Sequence, residues 1–412
     1  MIMVTSEPGV MDAVNASQGS SKSRGAFCLS LVAIGWLALA AVRADAVETT
    51  QGFIAFHDFG TVTPHESLVY DFVLSNSTDS AWQFLTARPS CDCVDVLSLP
   101  EVIPAHGEGQ LPVRVSVGGA GLSDWTISVS LAGEVLPRLL GLSAVVRVAK
   151  EESIRADLLA QPAEILKVQG TPAGGDLCWV DTRHESQYRV GHIAEALNLP
   201  LYVLKTKAFL KNKRVVLVNE GHDVTPLLEE AERLRALGFT RVQALEGGVR
   251  GWQFAGGALV GEHPHSSAVA QISPEQFYVS RGTPGWRIAR LMGSGGAADG
   301  LFSMNGVTNL TMDAASLPGW IATASSSGGA SQRWLVVDES GTNYEEVEQA
   351  LQSMKLPPVF YLSGGAHGYE QHLAQRLSQL NRQLVSLSSA SSRRSFPGSS
   401  GARTGGCCGG GK

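Results

Sequence analysis

The feature that most limits the fold of this chain is a pattern written twice. KRVVLVNEG (Lys213–Gly221) with EEAERLRALGFTRVQALEGGVRGW (Glu229–Trp252), and RWLVVDESG (Arg333–Gly341) with EEVEQALQSMKLPPVFYLSGGAHGY (Glu345–Tyr369), run in one order. Each gives an apolar strand, a short loop, an acidic helix, a second strand, and a Gly-Gly turn ending in an aromatic residue. A strand that is apolar along its whole length must be covered on both faces, and alternating helices supply that cover. Each copy therefore predicts a parallel sheet flanked by helices. In the first copy Leu227, Ala231 and Leu234 share one helix face, while Glu229, Glu230 and Arg233 lie on others. Thr225 and Pro226 open that helix and Gly238 stops it. LCWVD (Leu177–Asp181) adds an upstream strand, whereas GWRIARLMGSGGAADGLFS (Gly285–Ser303) matches the first copy much less well. The expectation is a degenerate second copy.

Upstream of the repeat the period changes from helical to two. In SLVYDFVLSN, Leu68, Tyr70, Phe72 and Leu74 fall on one face, the sign of a half-buried strand. WQFLTA, QLPVRVSV, DWTISVSLAG and LLGLSAVVRVA follow, separated by the turn clusters SNSTDS, PAHGEG and GGAGLSD. About seven short strands over roughly 100 residues predict a β-sandwich.

The N-terminus carries the parts of an export signal. Lys22 and Arg24 precede the apolar run Ala26–Val42, and Ala44-Asp45-Ala46 forms a cleavage pattern. A mature chain from Val47 is expected, with an uncleaved membrane anchor as the alternative, since the run sits at the short limit of a spanning helix. The formal charge of −6 over 412 residues argues against nucleic acid, which wants a basic face, and against an anionic membrane surface. The resulting division is a signal at 1–46, a sandwich at 47–150, α/β units at 151–261 and 272–383 joined by a linker at 262–271, and a disordered tail at 384–412. The tail ends LSSASSRRSFPGSSGARTGGCCGGGK, whose Ser/Gly-rich composition has too little apolar content to fold.

Two resemblances attach to these segments. FHDFGTV (Phe56–Val62), the strand ending at Asn76, and SCDCV (Ser90–Val94) resemble the Hydin-like immunoglobulin-type family, with its "DFG-V" opening and "CGC" element. That resemblance implies a fold and no activity. VDTRHESQYRVGHIAEALNLP and LEGGVRGWQFAGG resemble the rhodanese-like sulfurtransferase domain, through Asp181, Arg183, Gly191, His192, Ile193, Asn198 and Pro200, then Gly247, Gly248 and Trp252. Gln187 and Glu195 depart from the family pattern, the first replacing an acid and the second a small glycine.

The resemblance implies a cysteine nucleophile at the end of the Val215–Val218 strand, held as a thiolate by loop N–H groups and a helix N-terminus, and carrying sulfur as a persulfide. Asn219 stands there, and a carboxamide cannot serve. The loop continues Glu220, Gly221, His222, Asp223, Val224; in the second copy Asp338 and Glu339 take the equivalent places. Glu220 and Asp223 put carboxylates where an anionic sulfur donor would approach, and one such charge at about 4 Å is worth about 4 kcal/mol at an effective dielectric of 20. Glu220, His222 and Asp223 read as a solvated polar loop, with an acid–base or metal cluster as the alternative. By the resemblance His192 is a structural hydrogen-bonder. His263 and His265 belong to the linker and are expected to face solvent.

Beyond the leader the thiols are Cys91, Cys93, Cys178, Cys407 and Cys408. Cys178 is expected as apolar filler in its strand. Cys91-x-Cys93 suits either a disulfide or a soft metal. Cys407-Cys408 sits at the end of an arm of roughly 25 residues whose reach is about 25–30 Å, enough to visit an α/β pocket. The function expected is that of an exported, catalytically inactive binding or scaffold module without cofactor or metal. Its partner would be an unidentified protein or a small sulfur-containing ligand. The alternative is sulfur or metal handling by Cys407/Cys408 or Cys91/Cys93.

Overall fold

The computed structural model describes residues 53–148, 156–168, 176–264, 269–291, 302, 308–325, 332–351, 354 and 356–392. The expected export signal and cleavage site, His265 and the Cys407–Cys408 pair fall outside these residues.

The N-terminal part is two sheets around one core. Strands β1 (Phe53–Val62), β8 (Arg138–Val146), β7 (Gly121–Leu131), β3 (Trp82–Pro89) and β5 (Val102–Ile103) form one sheet in that order. Strands β2 (Ser67–Ser75), β6 (Glu108–Ser116) and β4 (Val94–Val96) form the other. In β2 the predicted alternation places Phe72 and Leu74 in the core, beside Leu111, Val113 and Val115 of β6, while Val69 and Val73 face outward. Strand β1 joins β8 in parallel, unlike the antiparallel hairpin pairs around it. His57 on β1 stacks on Tyr70 with ring centroids 3.7 Å apart, and burial pulls its pKa down to about 4.

That ring gives a pH expectation. Between its unfolded value of about 6.5 and about 4, the unfolded chain binds a proton that the native ring refuses, so stability falls as pH drops through this window. Allowing for solvent screening of a half-buried group, about 1–2 kcal/mol should be lost. Urea titrations at several pH values should show this slope, and His57→Gln should remove it.

Two parallel sheets follow. The first has the order β9 (Leu159–Ala160), β14 (Arg241–Leu245), β13 (Arg214–Val218), β10 (Leu177–Asp181), β12 (Leu197–Asn198). Helices α1 (Pro162–Val168), α2 (Glu185–Val190), α3 (Thr225–Ala236) and α4 (Gly248–Phe254) accompany it, and a short ribbon joins β11 (His192–Ile193) to β15 (Leu259–Val260). The second sheet has the order β16 (Gln271–Ile272), β20 (Val359–Leu362), β19 (Arg333–Val337), β17 (Trp286–Leu291), β18 (Thr308–Met312). Its helices are α5 (Pro274–Ser280), α6 (Leu317–Ser325), α7 (Tyr344–Leu351) and α8 (Gly365–Ser392). Strand for strand, the two sheets share one order, and every pair in them is parallel.

Helix α8 corrects the expected tail boundary. It runs on past Gln383 to Ser392, because no Gly or Pro follows Gly368 in that stretch and serine costs a helix only a few tenths of a kcal/mol.

The sandwich and the second α/β unit share a core. Phe56 and Leu139 of the sandwich cluster with Phe277, Tyr278, Tyr369, Leu373 and Leu377. Gly141 of β8 is obligatory in this contact, since a Cβ there would strike both Leu377 and Phe56. At its edge Arg281 is wholly buried against Asp58, and its other nitrogens reach Tyr278 O and the Ser143 hydroxyl. Asp58 also accepts from Gly60 N at 2.8 Å. Next to it Asp124 takes the Ser143 hydroxyl at 2.8 Å, the Tyr278 hydroxyl, and Arg376 at 2.6 Å.

A vacated loop under an interdomain cleft

Strand β13 is buried from Val215 to Val218 and delivers Asn219 to the edge of the sheet. The Asn219 side chain is turned back into its own loop. Its Oδ1 accepts from Gly221 N at 3.0 Å and its Nδ2 donates to Asp223 O at 2.5 Å. Gly221 has φ of 110°, and a Cβ there would collide with the Gly247 carbonyl, so the loop closes only with glycine. Val249 N donates to Asn219 O at 2.9 Å, pinning the loop to the Gly247–Gly248 turn that starts α4. The second unit closes in the same way: Asp338 accepts from Gly341 N, and Ala366 N donates to Asp338 O at 2.8 Å beside Gly364–Gly365. Asp338 further takes Thr342 N and Asn343 N at 3.1 Å each, capping α7, while Glu339 is exposed.

Glu220 has a different role from the one expected. Its carboxylate lies between two guanidinium groups, 2.9 Å from Arg183 Nη1 and 2.9 Å from Arg250 Nε. Arg183 in turn holds Asp181 through Nε and Nη2 and donates to Gly191 O at 2.6 Å. Burial works to raise the Glu220 pKa, but Arg250 and Arg183 outweigh it and hold the carboxyl below its ordinary value. Two carboxylates and two guanidiniums balance, so the expected unneutralised negative mouth is absent. Asp223 is buried too, accepting Thr225 N at 2.9 Å at the start of α3 and facing Thr283.

Nor is this loop solvated, as its polar composition suggested. The second α/β unit covers it. Arg333, almost fully buried, donates to His222 O at 3.0 Å, and the His222 ring meets Phe360 edge-on at 5.8 Å. Burial lowers the His222 pKa, Asp223 and Glu220 oppose that effect, and Arg333 adds to it. Its Nδ1 is buried without a hydrogen-bond partner among the described residues. Among the described residues no group of three His, Cys, Asp or Glu is placed to hold a metal ion.

Above the loop a cleft of about 290 Å³ opens between the two α/β units. Arg183, Glu220, His222 and Arg250 line one side; Gln271, Gln276 and Phe360 line the other, and His263 and Pro264 border it. His263 faces solvent as expected but stands at this mouth. Sequence reasoning passed over Arg250, although it sits inside the quoted GGVRGW segment, and it had no way to place Gln271, Gln276 or Phe360 opposite the loop. Sequence similarity between the copies says nothing about how they pack on each other.

The remaining signature residues are structural in the geometry. His192 Nδ1 lies 2.8 Å from Tyr188 O, and its ring stacks on Tyr188. Trp252 is buried, donates to Ala258 O at 3.0 Å and meets Trp179 edge-on. Cys178 is half-buried, and burial pushes its thiol pKa up. Cys91 and Cys93 are joined as a disulfide against the sandwich core, and none of the cleft's lining residues comes from their loop.

With this geometry in view, residues 162–255 match the rhodanese-like domain family and are a rhodanese-like domain. Solved structures similar to parts of the chain include thiosulfate sulfurtransferase from Pseudomonas aeruginosa, 21% identical over 52% of this chain and 42% of that one, with a TM-score of 0.22. A rhodanese-like domain from Anabaena sp. is 25% identical over 26% of this chain and 80% of its own (TM-score 0.23). A rhodanese-related protein from Thermoplasma volcanium is 21% identical over 25% and 97% (TM-score 0.21). No curated protein matches the chain.

Proposed function

We propose that this is an exported, non-catalytic binding module built on the rhodanese-like fold, with the cleft between its two α/β units as the binding site. The second unit is read as a degenerate rhodanese-like copy and the N-terminal sandwich as an immunoglobulin-like domain that adds a second interaction surface. The observation that carries the reading is the state of the loop. Its strand-end residue is Asn219, tied into its own backbone, and its anion-binding guanidiniums are already taken by Glu220. A sulfur donor finds neither a nucleophile nor an uncompensated positive charge there.

What the cleft offers instead is a neutral mixture of amide, imidazole and ion-paired groups over one aromatic face. Such a surface suits a small polar ligand or a peptide side chain that hydrogen-bonds without bringing net charge. The test is sulfur transfer from thiosulfate to cyanide, comparing the full chain with one ending after Ser392, which keeps α8 whole. Background rates in both support the binding module. Activity in the full chain alone would make Cys407 and Cys408 the working thiols and overturn it, and activity in both would move attention to Cys91, Cys93 or Cys178.

A further inference from the structure

The first α/β unit carries a second surface that takes no part in the cleft. From Ala196 to Asn219 the chain has no carboxylate side chain, yet it holds Lys205, Lys207, Lys211, Lys213 and Arg214. Between β12 and β13 this segment folds as two short 3₁₀ turns, Leu201–Thr206 and Ala208–Leu210. Leu204 and Leu210 are its buried pegs, and Tyr202 and Phe209 are left 75% and 57% exposed. Lys205, Lys211 and Lys213 are exposed and Lys207 partly so; among the described residues none of the four has a carboxylate partner.

We infer that this face docks on an anionic lipid bilayer. Two aromatic side chains held outward by buried leucines, with lysines interleaved, have the chemistry of a bilayer interface. Aromatic rings settle at headgroup depth, and ammonium groups on flexible stems stay hydrated among lipid phosphates. Protein interfaces favour arginine over lysine, and arginine's planar fork is what recognises a carboxylate in a fixed geometry. The segment's cations are four lysines, of which Lys211 lies 5.5 Å from the Phe239 ring centroid, and one arginine. That arginine, Arg214, is half-buried and donates to Gln243 Oε1 at 3.3 Å. The predominance of lysine points to a diffuse layer of negative charge rather than an acidic protein. The formal charge of −6 does not cancel this patch, because screening confines each charge to about 8–10 Å in physiological salt. The exclusion of anionic membranes drawn from net charge therefore holds for the molecule as a whole and not for this face.

The experiment is amide hydrogen exchange on the full chain with phosphatidylcholine vesicles, with or without phosphatidylglycerol, read on peptides spanning Leu201–Arg214. Any contribution of the N-terminal apolar run, with its Lys22 and Arg24 flank, falls on other peptides. Exchange across Leu201–Arg214 should slow about tenfold with the anionic vesicles alone. Reversing Lys205, Lys207, Lys211 and Lys213 to glutamate should abolish the protection, and Tyr202→Ser with Phe209→Ser should weaken it at constant charge. Unchanged exchange with anionic vesicles overturns the inference. So does protection that poly-glutamate matches and the aromatic substitutions leave intact, since that marks an acidic-polymer site.

Discussion

Asp58→Ala should destabilise the folded protein by about 3–5 kcal/mol, the cost of leaving a buried charge without its partner. Arg281 is wholly buried, and its remaining contacts, Tyr278 O and the Ser143 hydroxyl, are neutral. The guanidinium cannot escape by losing its proton, because arginine stays charged at any accessible pH. In a chain whose total stability is of the usual 5–15 kcal/mol, such a loss shows directly as an earlier unfolding midpoint in urea. Asp58→Asn keeps the shape and one acceptor, and should cost less. Replacing Asp58 and Arg281 together by apolar residues should recover much of the loss. If Asp58→Ala leaves the midpoint in place, the pair is not a structural tie between the sandwich and the second α/β unit.

The second large effect concerns the loop. Asn219→Cys alone should leave thiosulfate:cyanide sulfur transfer at background, and adding Glu220→Ala should raise it on the order of 100-fold above the single variant. A cysteine at 219 beside the Glu220 carboxylate is disfavoured as a thiolate, and the guanidiniums that would stabilise it are already neutralised. Removing Glu220 frees Arg250 and the Nη1 of Arg183, whose other nitrogens stay on Asp181, and both residues already line the cleft. Glu220→Ala by itself should also create a site for sulfate, seen as a salt-sensitive rise in the thermal midpoint. The order of effects is the discriminating result. Robust turnover in Asn219→Cys without a second change would mean that Glu220 does not occlude the site. The carboxylate itself has a pH signature: it stabilises the native state above its unfolded pKa of about 4.3, and that contribution disappears as pH falls through its lower native value.

The strand-loop-helix order of the repeat was legible because hydrophobic periodicity and glycine turns are local, and each sits within a few residues of the element it predicts. The strand end at Asn219 and the Gly247–Gly248 turn were legible for the same reason. The electrostatics of the loop were not. Glu220 and Asp223 look like two unpaired acids in the sequence, but Arg183 is 37 positions from Glu220 and Arg250 is 30, and no periodicity connects them. Asp58 gives the same lesson. Its DFG setting was recognisable, while its partner Arg281, 223 positions away, lies in a stretch with no motif or periodicity to mark it. The end of α8 was misplaced on compositional grounds, since serine-rich sequence does not by itself stop a helix.

The shared core has a consequence for the order in which this chain can fold. Phe56 and Leu139 are buried in a cluster that includes side chains from α5 and α8, more than 130 positions further along the chain for the nearer of the two helices. A nascent chain emerging N-terminus first would hold its sandwich with this face uncovered until α8 has been made. Contacts of such sequence separation close slowly, because the entropy of ordering the intervening loop must be met before the contacts form. The late arrival of α8 is therefore the step that converts a partly assembled sandwich into a finished one.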